Sequence, residues 1–209
     1  MQRQDASPRA ERIAFFFLLG VIVVEGFPLV MTFAANRVLF LLELGLTAGH
    51  RGTALAWALA LVVTATFIYL SVRRNEFIAS HLYTFTRLKA LAIPMAVVSG
   101  IFEEAFFRRF LMDWAMRGGW SVAAQIALSA VIFGVAHGIW GLFGGSLSAA
   151  AGATIATGLL GLALAVVYVV GGRAVAPCAA SHTLINLVLE PWLILVAASG
   201  SWRGEALAD

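Results

Sequence analysis

Long apolar runs alternate with short polar breaks along the whole chain. The runs extend from Ile13 to about Ala35, Thr53 to Val72, Leu88 to Met116, Ser121 to Trp140, Leu147 to Val170 and Val175 to Ser199. About 20 apolar residues carry a helix across a bilayer, so the pattern predicts an all-α, polytopic transmembrane bundle of about six spans. A shorter patch, Val38 to Leu46, is broken by Glu43 and reads as an interfacial helix. The first run exceeds the roughly 7–15 residues of a signal-peptide core and reads as an uncleaved span. Pro28 and Pro94 predict bends in the first and third spans. The chain divides into a polar N-terminal segment (1–12), two spans with their connectors (13–87), a transmembrane core (88–199) and a polar tail (200–209).

Composition narrows the picture. The 209 residues are 61% hydrophobic and 12% charged, whereas a soluble domain is roughly 45–50% apolar and 25% charged. That excludes an ordinary soluble domain, a disordered tail and a disulfide-stapled module. The net charge of +3 is spread over short connectors, which suits loops facing anionic headgroups and gives no sign of a nucleic-acid partner. Cys178 is the only cysteine, so neither a disulfide framework nor a Cys-based zinc cluster exists within the chain. Ala149, Ala153, Thr157, Gly161 and Ala165 form a stripe of small residues four apart on the fifth span, which predicts a closely packed neighbour. His50 and His81 fall in predicted loops and read as solvated, and Lys89 is counted with the polar connector before the third span. Glu190, four residues beyond Asn186 and just before Pro191, either extends the polar face of Asn186 or marks the membrane surface, the second being the preferred reading. Glu25 receives no role.

Charged groups at mid-membrane cost about 2.5–3.5 kcal/mol each on the insertion scale and are usually inward-facing, paired and functional. The third, fourth and sixth spans carry such groups at helical spacing. Glu104 and Arg108, four apart, share a helix face and can pair, while Glu103 points elsewhere with no local cation. Two carboxylates in such unlike surroundings resemble an acid/base arrangement. The competing reading is an interfacial cluster with Arg108 and Arg109 snorkelling to headgroups. Phe133 shares a face with His137, and His182 shares one with Asn186. Cys178, four before His182, makes a Cys–His nucleophile geometrically conceivable, although a small packed residue explains it as well.

Taken together, Glu103-Glu104-x-x-x-Arg108, Phe133-x-x-x-His137 and His182-x-x-x-Asn186 resemble the EExxxR, FxxxH and HxxxN motifs of the CPBP intramembrane proteases. That family (also called Abi) includes the type II CAAX prenyl endopeptidases and bacteriocin-processing or self-immunity proteins. The resemblance covers roughly residues 90–195. It implies an intramembrane endopeptidase acting on a membrane-embedded or lipid-anchored protein or peptide precursor, in the inner membrane if the source is bacterial. In that reading Glu103 and His137 activate a water and His182 and Asn186 donate to the oxyanion. Glu104, tied to Arg108, orients the helix and the local field, and Phe133 packs the site. No cofactor is expected. The alternative is a zinc ion on Glu103, His137 and His182, disfavoured by the absence of HExxH and by the nearby Arg108. A non-enzymatic immunity or scaffold protein of the same fold, and a proton-conducting transporter, are the competing functions; no inverted repeat supports the transporter.

Overall fold

The computed structural model describes residues 7–47, 49–143 and 146–199, the side chains of 140–143 excepted. Helices satisfy their own backbone groups in lipid, and among the described residues six are long and apolar enough to cross a membrane, with no strand. Helix α1 (Pro8–Ala35) starts before the apolar run because Ser7 caps it, its Oγ accepting from the Ala10 amide at 3.2 Å, with Pro8 in the first turn. The predicted interfacial helix is α2 (Arg37–Glu43). Thr53 caps α3 (Ala54–Arg74) and donates to the Val170 carbonyl at 3.1 Å. The short α4 (Glu76–His81) leads to α5 (Arg87–Glu104), which continues through a π-helical segment, Ala105–Met112, into α6 (Asp113–Arg117). Helices α7 (Val122–Phe143), α8 (Leu147–Val170) and α9 (Ala176–Ser199) complete the bundle. The predicted tail at 200–209 and the first half of the predicted N-terminal segment lie outside the described residues.

Helix α9 is the axis. Protein shields 61% of its spanning window but only 17% of that of α1 or α3. Helices α5, α1 and α3 pack on it, and α7 lies along α8. The first two spans therefore join the same bundle as the core. Their outward faces, with Val23, Val24, Phe27, Val30 and Met31 each more than half exposed, present apolar surface suited to acyl chains.

Glycines permit the closest approaches. A Cβ on Gly100 of α5 would sit 2.3 Å from Thr183 Oγ1 and 2.8 Å from the Thr183 nitrogen on α9. Gly134 of α7 faces Thr154 and Gly158 of α8, and Gly161 leaves room for Phe133. The α7–α8 approach thus uses Gly161 from the predicted stripe together with Thr154 and Gly158 beside it.

Three expectations change. His81 is not solvated: it is buried in α4, stacks on Phe77 with ring centroids 4.1 Å apart, and meets Trp192 at 5.3 Å. Lys89 is not a free loop charge: its ammonium turns inward to backbone carbonyls of α9. The third span is not a uniform α-helix, because a wider π segment begins directly after Glu104. Such segments are frequent at functional sites.

Candidate active site

The glutamate pair ends α5 with its two side chains turned to different partners. Glu104 is fully buried and its carboxylate is shared between an arginine and a histidine. Arg108 Nε lies 2.9 Å from Oε2, Arg108 Nη2 donates to Oε1 at 3.2 Å, and His182 Nδ1 donates to Oε1 at 2.9 Å. Arg108 is equally buried, so it does not snorkel; its Nη1 donates to Ser129 Oγ of α7 at 2.9 Å. The guanidinium also lies over the Phe133 ring, 5.1 Å from its centroid. Arg109 behaves differently. It is 42% exposed and pairs with Asp113 at 2.8 Å and with Glu43 at 3.7 Å.

Glu103 points into the space between α5, α7 and α9. Ser99, one turn earlier, donates to its Oε1 at 2.6 Å, and His137 Nε2 lies 3.4 Å from its Oε2. Asn186 Nδ2 donates to Ser99 Oγ at 3.4 Å. Phe133 is fully buried between the imidazoles, stacked on His137 at 4.3 Å and tilted to His182 at 5.5 Å. All six motif residues, with Phe133, thus share one interior region.

The hydrogen bonds assign the imidazole tautomers. His137 Nδ1 faces the Phe133 carbonyl at 2.8 Å, and His182 Nδ1 faces the Glu104 carboxylate. Both partners only accept, so each Nδ1 carries a hydrogen. Each neutral ring then offers a lone pair, not a donor, at Nε2. Donor atoms of Glu103, His137 and His182 lie within 4.8 Å of one another, and this group can hold a metal ion. The Nδ1 contacts to a carbonyl and a carboxylate match the outer-shell pattern that orients metal-bound histidines.

Two further carboxylates border this region. Glu25 of α1 adjoins Ser99 and lies near Glu103. Glu190 of α9, four residues after Asn186, faces the interior near Glu103 and Glu25 and so extends the polar face of that helix. Each has an Oε2 shielded from solvent without a hydrogen-bond partner. Ser99 and Ser129 also escaped the sequence reading. A lone serine in an apolar helix carries no distinctive pattern, although Ser99 stands four residues before Glu103, the spacing of the other pairs. Cys178 is buried and donates to the Leu164 carbonyl at 3.3 Å, which fits the packing role.

The family model described as Type II CAAX prenyl endopeptidase Rce1-like matches residues 84–188, half of the chain. No curated protein and no solved structure matches.

Proposed function

The chain belongs to the Rce1-like family of type II CAAX prenyl endopeptidases, and from that premise we propose that it hydrolyses a peptide bond in a membrane-embedded or lipid-anchored protein or peptide. The observation that carries the reading is the pairing of Glu103 Oε2 with His137 Nε2 across 3.4 Å in a largely shielded interior. Two acceptors that close require either a shared proton or a water that donates to both. In the mechanism, the pair separates to admit one water that donates to both, and Glu103 takes its proton. The hydroxide oxygen bonds to the scissile carbonyl carbon. The tetrahedral intermediate then collapses, the C–N bond breaks and Glu103 returns the proton to the leaving amine.

Donors aimed at a developing oxyanion are worth about 2.7–4 kcal/mol each. Asn186 supplies one by turning its amide from Ser99, a long contact that is easily given up. His182 supplies another only as the imidazolium, because its Nδ1 hydrogen is committed to Glu104. Glu104 and Arg108 hold that ring in place without touching the reacting atoms.

The Nδ1 contacts favour one second reading. Glu103, His137 and His182 would hold a zinc ion, which supplies Lewis-acid polarisation and an acidified water when bound. The test uses purified protein in proteoliposomes with a substrate found by comparing membrane proteomes of wild-type and Glu103→Ala cells. The accumulating precursor should be cleaved by the wild type, and Glu103→Gln should reduce cleavage at least about 100-fold. Wild-type rates in Glu103→Gln overturn the proposal. Cleavage that follows zinc content after chelation and reloading selects the metal reading; cleavage indifferent to it selects the metal-free one.

A further inference from the structure

Proline lacks the amide that closes the preceding helical turn. In α9, Pro191 therefore leaves the Leu187 carbonyl without its normal partner four residues on. Within a membrane no bulk water is at hand to replace it, and an unsatisfied backbone group is costly there. The replacement comes from another helix. Lys89, in the first turn of α5, donates through Nζ to the Leu187 carbonyl, and the same ammonium lies 3.4 Å from the Val188 carbonyl. Its charge is placed 5.8 Å from the centroid of the buried Trp192 ring. Trp192 in turn packs against His81, which stacks on Phe77. A loop cation would gain nothing from this inward course, whereas an ammonium has three donors to spend on carbonyls.

We propose that Lys89 is a positioning residue that stands in for the amide Pro191 lacks, and so fixes the turn of α9 that follows Asn186. The bonded carbonyl belongs to the residue next to Asn186, and Glu190 lies in the same turn. Lys89 touches none of the reacting groups. It acts by tying the start of α5 to α9, the two helices that carry Ser99, Glu103, Glu104, His182 and Asn186.

A double-mutant cycle on the full-length protein in detergent tests this. Lys89→Met keeps the length of the side chain but removes the donors. Pro191→Ala restores an amide able to reach Leu187. Lys89→Met should lower the thermal midpoint by about 5 °C, and Lys89→Arg should keep most of it. On the Pro191→Ala background, Lys89→Met should have little effect. Additive losses, with no suppression by Pro191→Ala, overturn the proposal. If Lys89→Met alone does not fold, the double variant decides: recovery of folded protein supports the proposal and failure sinks it.

Cleavage gives a second readout resting on the proposed peptidase function. The turnover lost in Lys89→Met should return in the double variant. A protein that cleaves nothing but keeps the thermal coupling defeats the peptidase reading and leaves this one standing.

Discussion

A hydroxyl four residues before Glu103 decides how that carboxylate points. With Oε1 held by Ser99 at 2.6 Å, Oε2 is left for His137. A hydrogen bond to a charged group contributes about 1.5–3 kcal/mol. Ser99→Ala is therefore expected to lower kcat about 10–100-fold with little change in KM, and Ser99→Thr to recover part of it; steady-state kinetics on the identified substrate checks this. Arg108 makes a different kind of contribution. Removing one partner of a buried ion pair leaves the other charge uncompensated and costs about 3–5 kcal/mol. Arg108→Met should therefore destabilise strongly, and adding Glu104→Gln should restore part of the stability, measured by denaturant or thermal unfolding in detergent.

Helix contacts place these side chains only if the backbones come close enough. Gly100 brings α5 against the Thr183 backbone of α9, one turn from both glutamates and next to His182. Gly100→Ala would force the helices apart, because backbone atoms cannot yield as a flexible side-chain tip can. It should reduce both stability and cleavage, whereas Gly152→Ala, with nothing within 4 Å of the added methyl, should leave cleavage unchanged and slightly favour the helix. Parallel melts and activity assays of the two variants separate a specific contact from a general intolerance of alanine. The π segment belongs to this scale as well. Its wider turn follows Glu104 directly, buries Phe107, Arg108 and Met112, and leaves Phe102, Phe106 and Phe110 as a stacked row, with Phe106 and Phe110 exposed.

Across the whole molecule, a second polar network secures the ends of the spans away from the Glu/His cluster. Asp113 accepts from Tyr168 at 3.1 Å, from Arg109 at 2.8 Å and from Arg173, and Arg173 also donates to Gln125. These residues come from the π segment, α6, α8, the following turn and α7, so the network joins three spans. Arg173 holds a φ of 65° there, a conformation L residues seldom adopt. Cys178 offers a probe of the assembled bundle. Its thiol is fully buried, so maleimide labelling of the native protein should be slow and should accelerate only with global opening. Asp113→Asn should bring that opening to lower temperature. Rapid labelling of the folded wild type would contradict the packing described.

Much of this was determined by the sequence alone. Membrane spans depend on the summed hydropathy of contiguous residues, a local property, and the starts of α3, α5, α8 and α9 fall close to the polar breaks. Residues four apart share a helix face whatever surrounds them, so the Glu104–Arg108 pair and the candidate residues Glu103, His137, His182 and Asn186 were legible. Contacts between helices were not, because no spacing rule links α5 to α9 or α1. Only the folded bundle decided that Ser99 serves Glu103, that Glu25 and Glu190 face the same interior, that both Nδ1 atoms are committed, and that Lys89 reaches a carbonyl left open by a distant proline. Each of these depends on distances between segments far apart in the chain, which close packing sets and local pattern does not.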